Sequence, residues 1–280
     1  MRHTQFIALG LVALGGCGLP QDRPYLIDDL SVVAVVSDPP AVYPSEAALL
    51  TAFIVNPDHP HAAVQTDWTT CTNRSTSENP RRCSSERTRL TADDPVGIAG
   101  GVLTSTAEHV VQAGDLAHVP LLLLQAGFWE HVRLRVASEN QEVEAIKRMV
   151  VIAQDQAANT NPVLRGIEVR KDGELISPPY LVDAGESLTL TPTFDESRFD
   201  DYRVLTATGE WKHRQEEPVF TWHITGGTLD KWITEDGTFE VEWTLPDMDE
   251  IPTNQALCLT VLRDGRGGSA VWVSEVSLVD

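Results

Sequence analysis

Side chains able to do chemistry are few in this chain, and they are scattered. Two acid–imidazole dipeptides, Glu108-His109 and Glu130-His131, hold the groups a general acid–base pair needs. Neighbouring side chains point to opposite faces of an extended backbone, so in a strand neither dipeptide can act on one substrate. His59-Pro60-His61 offers two imidazoles to a metal, yet it follows Asp58 in a polar stretch and reads as an exposed loop. Two acidic clusters, Asp195-Glu196 with Asp200-Asp201 and Asp247-Met248-Asp249-Glu250, carry the hard oxygens of which calcium takes about six to eight. They lack the Asp-x-Asp-x-Asp-Gly spacing of a calcium loop. Asp195, Glu196, Asp200, Asp201, Asp247 and Asp249 are therefore calcium candidates only, the expectation being solvated loops with no metal and no cofactor. The sequence has no Gly-x-Ser-x-Gly elbow, no His-Glu-x-x-His, no phosphate-binding glycine loop and no Gly-x-Gly-x-x-Gly before a helix. A non-enzymatic protein is expected; Thr91 to Gln125, the least patterned stretch, is the one place left for an unrecognised hydrolase site.

Four cysteines complete the inventory. Cys71 and Cys83 flank a polar segment that contains Pro80, and a disulfide closing a loop of that size stabilises by ~3 kcal/mol, mainly by restricting the unfolded chain. Their spacing does not suit zinc, which needs a closer pair and a partner pair, so a Cys71–Cys83 disulfide is expected. Cys258 alternates with Ala256 and Thr260, while Leu257, Leu259 and Val261 make the more apolar face. That alternation puts Cys258 away from the core, as a half-buried inert thiol, the alternative being a thiol that bridges two chains or reacts with a partner.

Cys17 has a different setting. Met1 to His3 carries one firm positive charge, Arg2, and Phe6 to Leu14 is apolar. The run is shorter than the ~20 residues a spanning helix needs, and it ends in small residues, as a signal peptide does. Leu14-Gly15-Gly16-Cys17 resembles the lipobox of bacterial lipoproteins. The resemblance implies cleavage after residue 16 and a diacylglyceryl thioether on Cys17, with a further acyl chain on the new amine; two or more chains hold stably where one does not. Gly18 replaces the Asp that retains many lipoproteins in the inner membrane, so the resemblance points to the outer membrane of a Gram-negative cell envelope. Residues 17–29, with Pro20 and Pro24, read as a tether whose roughly 12 residues reach at most ~40 Å.

The 280 residues carry a formal net charge of −20, and loss of Arg2 with the leader makes the body more acidic still. Such a body repels nucleic acid and anionic headgroups. Nucleic acid is excluded as a partner, and membrane contact is expected through the lipid alone, leaving a protein or carbohydrate ligand open. Val119 to Leu124 is far too short to span.

From Leu30 onward the pattern is short strands separated by turns. Ser31 to Val36 is rich in β-branched residues and stops at Pro39-Pro40; Ala48, Leu50, Ala52 and Ile54 alternate on one face; Val132, Leu134 and Val136 alternate against His131, Arg133 and Arg135. Each is a strand pattern with its stop signal. The second half repeats the first: Leu30, Val33 and Val35 match Leu164, Ile167 and Val169, Pro39-Pro40 matches Pro178-Pro179, and Trp68 matches Trp222. Val132, Leu134 and Val136 then match Leu257, Leu259 and Val261, and Phe194 to Glu217 holds an insertion. Phe220-Thr221-Trp222 to Gly226-Gly227, Trp243-Thr244-Leu245-Pro246 and the hairpin Arg263-Asp264-Gly265-Arg266-Gly267-Gly268 resemble bacterial immunoglobulin-like and PKD-like modules. The resemblance implies a buried Trp on a central strand and a fold used for adhesion, spacing, carbohydrate binding or docking. The expected architecture is all-β: signal peptide 1–16, tether 17–29, a first immunoglobulin-like β-sandwich 30–153, linker 154–162 and a second immunoglobulin-like or PKD-like sandwich 163–280. The expected role is a binding, adhesion or spacer module at the cell envelope, with an accessory subunit of an envelope complex as the alternative.

Overall fold

The computed structural model of the protein describes residues 23–71, 87–112, 128–152, 158–205 and 209–279. Cys17, Cys83 and therefore the expected Cys71–Cys83 disulfide lie outside the described residues, as do the signal peptide, Val119 to Leu124 and the first part of the linker.

Among the described residues, the first half of the chain forms nine strands: β1 (Ser31–Asp38), β2 (Ala41–Val42), β3 (Ala47–Val55), β4 (Gln65–Cys71), β5 (Arg87–Arg89), β6 (Val96–Ala99), β7 (Val102–Val110), β8 (Phe128–Ser138) and β9 (Gln141–Val151). They make two sheets, in the orders β1-β3-β7-β6 and β2-β9-β8-β4-β5. The first edge strand changes sheets: β1 runs antiparallel to β3, and after Pro39-Pro40 the chain crosses so that β2 pairs parallel with β9. Prolines donate no ladder hydrogen bond, which is why the crossing falls there.

The second half repeats this order with β10 (Leu164–Lys171), β11 (Glu174–Ile176), β12 (Tyr180–Asp183), β13 (Ser187–Phe194), β14 (Asp201–Leu205), β15 (Trp211–Gln215), β16 (Val219–Ile224), β17 (Thr228–Leu229), β18 (Ile233–Thr234), β19 (Val241–Thr244), β20 (Gln255–Arg263) and β21 (Ser269–Val279). Its sheets run β11-β10-β13-β19-β17 and β12-β21-β20-β16-β18, with β14 and β15 forming a separate hairpin. Here too the chain switches sheets after a proline pair, and β12 lies parallel to the last strand. Both halves are immunoglobulin-like sandwiches, and the β14–β15 hairpin is the insertion expected between Phe194 and Glu217.

Alternation builds each core. Ala48, Leu50, Ala52 and Ile54 of β3 are fully buried with Trp68, Val132, Leu134 and Met149. In the second sandwich Leu188, Leu190, Phe220, Trp222 and Trp243 do the same. Each tryptophan finds an acceptor for its indole N–H: Trp68 donates to Ser105 Oγ at 3.0 Å, Trp222 to Thr234 Oγ1 at 3.0 Å, and Trp243 to the Gly226 carbonyl at 3.1 Å. These bonds let large aromatics sit in the core without stranding a donor. Gly227, at φ +82°, lies so close to Thr244 that a Cβ would collide with its carbonyl oxygen.

One strand departs from expectation. In β20 it is Ala256, Cys258 and Leu262 that join the sandwich core, while Leu257 and Leu259 belong to a separate buried cluster with Ile27, Val55 and Val102. The register shows the slip: Trp68 pairs with Leu134, and its counterpart Trp222 pairs with Thr260. Val132, Leu134 and Val136 therefore correspond to Cys258, Thr260 and Leu262, one residue beyond the expected match. Cys258 does not point away from the core; it is 1% exposed, and burial pushes its thiol up to about 12, the state of an inert thiol. Both faces of β20 are buried, so the more apolar face is not the inner one.

That second face stacks the two sandwiches. The outer side of the β1-β3-β7-β6 sheet, through Val33, Phe53, Val55 and Val102, packs on Leu257, Leu259 and Val273 of the β12-β21-β20-β16-β18 sheet. Four sheets thus lie face to face in one block. Part of the expected tether joins them. The Ile27 amide donates to the Ile224 carbonyl at 2.7 Å, the Ile224 amide donates to the Tyr25 carbonyl at 2.8 Å, and Ile27 is 5% exposed. Residues 25–27 are thus a docked strand segment on the open side of β16, not a free spacer, because Ile27 completes the apolar cluster.

Candidate functional site

The candidate residues do not converge on a reaction centre. Glu108 is exposed and His109 buried on opposite faces of β7, and Glu130 and His131, both buried, point to opposite faces of β8. Tertiary packing instead joins one member of each dipeptide: His109 Nε2 lies 3.1 Å from Glu130 Oε2, with side-chain exposures of 6% and 11%. Neither atom is placed for a directed hydrogen bond, so the two buried side chains are in close contact without a shared proton geometry that would serve catalysis. His131, on the other face, has its pKa lowered by burial and by Arg148, against the opposing pull of Glu130.

The calcium candidates are separated and partly engaged. Asp195 caps the short turn Glu196–Arg198, its Oδ1 accepting from Ser197 N at 3.1 Å and Ser197 Oγ at 2.6 Å, while Oδ2 meets Arg165 Nη2 at 2.9 Å. The Ser197 hydroxyl and Arg165 hold the Asp195 carboxyl below its usual range. Glu196, Asp200 and Asp201 are exposed, and Asp247 and Asp249 sit on a surface turn where Glu250 Oε2 accepts from the Asp247 amide. Among the described residues no three His, Cys, Asp or Glu side chains gather around a cation position. His59 and His61 are exposed on their loop, as expected. His61 borders an open groove of about 350 Å³ along β6, beside Ile98, and is its one titratable lining residue among those described.

Three features carry more weight, and the sequence pattern gave no sign of their roles. The first is a polar latch built on the β20–β21 turn. Asp264 is 2% exposed; its Oδ1 accepts from the Arg266 amide at 2.7 Å and the Gly268 amide at 3.0 Å, and its Oδ2 accepts from Asn159 Nδ2 at 2.7 Å. A Cβ at Gly268 would collide with Asp264 Oδ2, so a side chain there would displace the carboxylate. Asn161 continues the latch, accepting from the Ser269 amide at 3.0 Å and donating to the Ser37 carbonyl at 2.9 Å. Lys147 of β9 donates to the Gly267 carbonyl at 2.9 Å; burial lowers its pKa to about 8 although Asp264 pulls the other way. The turn expected from its glycines thus holds the first sandwich to the second.

The second feature is His223, on the side of β16 that carries the register partner of Leu259. Burial, aided by the Arg263 charge, lowers its pKa to about 4, and its buried Nε2 has no hydrogen-bond partner among the described residues. The imidazole is neutral in the fold and takes up a proton on unfolding below its ordinary 6.5. Its stabilising contribution is complete above that value and is lost as pH falls through 4. At about 1.4 kcal/mol per pH unit of difference the loss approaches ~3 kcal/mol. Denaturant midpoints followed from pH 7 to 4 should therefore fall more steeply for the wild type than for His223→Gln; parallel curves would remove His223 from the acid response.

The third feature is the β14–β15 hairpin. Among the described residues it pairs only within itself, from Asp201↔Gln215 to Leu205↔Trp211, and every residue of β15 is exposed. Its base is fixed by Glu216, which is 3% exposed: Glu216 Oε2 accepts from the Asp200 amide at 3.1 Å and Oε1 meets Arg266 Nη1 at 2.7 Å. Burial raises the Glu216 pKa against these two bonds. Arg266 also lies 4.7 Å over the Tyr202 ring, so one side of the arm leans on the latch turn. Outward from there Arg203 sits 5.7 Å over Trp211, itself 43% exposed.

No protein-family model matches the chain, and no curated protein is similar to it. Among solved structures, the chain is similar to the N-terminal Ig1-2 module of the Drosophila receptor protein tyrosine phosphatase DLAR, at 10% identity and a TM-score of 0.27, over 90% of this chain and 100% of that one. A chimeric titin Z1Z2-Z1Z2 tandem gives 6% identity and a TM-score of 0.26 over 90% of this chain and 100% of that one. InvD of Yersinia pseudotuberculosis gives 11% and 0.23 over 88% of this chain and 57% of that one. These overall superpositions are loose, and the immunoglobulin-like character of this chain rests on its own strand order.

Proposed function

We propose that the protein is a non-enzymatic lipoprotein, held at the outer membrane of a Gram-negative cell envelope through lipid on Cys17, that works as a stiff two-domain module for binding and spacing. The observation that carries the spacing role is the stacked arrangement: an apolar sheet-to-sheet contact through Leu257 and Leu259, closed at its edge by the Asp264 latch, resists bending between the domains. The cleft between them at Pro60, Gly100 and Leu257 measures about 20 Å³, room for about one water, which accords with close stacking. Anchoring is supported by Leu14-Gly15-Gly16-Cys17 and by the docking of residues 25–27, which leaves a short segment between the body and the lipid. Metabolic labelling with a palmitate analogue should mark the wild type and not Cys17→Ser, with the wild type alone in the membrane fraction; an unlabelled wild type would end the anchoring proposal.

A second reading, an accessory subunit of an envelope complex, is favoured by the exposed β14–β15 arm. It predicts that crosslinking in cells joins the arm to another envelope protein, and self-crosslinking alone would count against it.

A further inference from the structure

We propose that the β14–β15 arm is a docking edge for an extended acidic polypeptide segment, which adds as a third strand beside β15. The proposal rests on the binding-module reading but not on lipidation. A two-stranded ribbon standing in water is marginally stable by itself, and a third strand is what such a ribbon lacks. The free edge of β15 presents the amides and carbonyls that do not face β14, as any antiparallel edge does.

The charge of the arm selects the occupant. The chain has 41 acidic against 21 basic residues, yet β14 and β15 carry Arg203, Lys212 and Arg214 against Asp201 alone. The basic side chains fall mainly on β15, whose five residues are all exposed, whereas β14 leans toward the body through Tyr202 under Arg266. Lys212 and Arg214 share one face of β15; Trp211 and His213 share the other. An incoming strand with acidic residues at alternate positions sets them opposite Lys212 and Arg214, and an apolar residue between them falls opposite His213, on the face that His213 shares with Trp211. Opposite charges directly across a strand pair are favourable and like charges are not, so the same two cations disfavour pairing of β15 with β15 of a second copy.

The test uses the full mature chain bearing Cys17→Ser, so that failure of the lipid proposal leaves it untouched. The probe is a fluorescein-labelled peptide alternating Glu with Val and Thr, compared with its Lys-for-Glu counterpart and with a scrambled peptide of the same composition. Anisotropy should show binding of the alternating acidic peptide at least tenfold tighter than of either control, with added protection of β15 amides from hydrogen exchange. Lys212→Glu with Arg214→Glu should abolish that binding and favour the Lys peptide; unchanged melting will show that these exposed substitutions leave the fold intact. Equal binding of the scrambled peptide would overturn strand addition. Absence of peptide binding would overturn the proposal, as would arm-dependent self-association in sedimentation or competition by phosphatidylglycerol vesicles, which would assign the arm to a second copy or to lipid.

Discussion

Leu259→Asp is expected to part the two sandwiches while leaving each one folded. Leu259 is fully buried, and its neighbours are Ile27, Val55, Val102 and Leu257 rather than the inner core. Removing the leucine forfeits about 2–3 kcal/mol of burial, and an unpaired carboxylate in that cluster costs several kcal/mol more unless it reaches water. Parting the domains hydrates it; unfolding the second sandwich is not required. The adjacent Cys258→Asp makes the contrast, since Cys258 belongs to the core around Trp222 and a charge there has no escape short of unfolding that domain. Small-angle scattering should show an extended particle for Leu259→Asp with a native tryptophan spectrum, and Cys258→Asp should lose the spectrum. If Leu259→Asp unfolded the second domain just as Cys258→Asp does, the stacked arrangement would be wrong.

Asp264→Ala is expected to cost about 3 kcal/mol or more, because it removes the shared acceptor of several buried donors, each worth roughly 1–3 kcal/mol when left unpaired. The carboxylate serves three donors, the amides of Arg266 and Gly268 and the side chain of Asn159, and hydrogen bonds to a charged group contribute roughly 1.5–3 kcal/mol each before the remaining donors find water. Asp264→Asn should cost less, because one oxygen can still accept from the turn amides while the Asn159 amide turns over. The alanine variant also removes the charge that supports the Lys147 ammonium, so the Lys147 pKa should drop further below about 8. Urea midpoints in the order wild type, Asn, Ala would support the latch, and an Ala midpoint equal to that of the wild type would dismiss it.

The fold was legible where a side chain's chemistry and its backbone pattern say the same thing. Ala48, Leu50, Ala52 and Ile54 alternate and are all fully buried; Pro39-Pro40 and Pro178-Pro179 mark where the chain leaves one sheet for the other; Trp68 and Trp222 fill corresponding places in the two cores. Extended geometry, which the sequence leaves open against a helical turn for Ala107 to Gln112, separates Glu108 from His109, and the backbone is extended there as part of β7. Strand geometry could not bring His109 to Glu130, because that contact depends on how β7 and β8 face each other across a core. Asp264 to Gly268 is visible as a turn from its glycines, yet nothing in its spacing marks Asp264 as the acceptor for Asn159, which lies 105 residues earlier.

By itself the amino-acid sequence determined strands, turns, the internal repeat and the acidity of the body, since each is a property of neighbouring residues. Tertiary structure alone decided which face of β20 is inner, that the Arg263–Ser269 turn joins the domains, and that residues 25–27 are docked. The physical reason is that period-two alternation distinguishes two faces of a strand without naming them. Where one face meets water, polarity names it; in β20 both faces are buried, and only the neighbouring sheet tells Leu259 from Cys258.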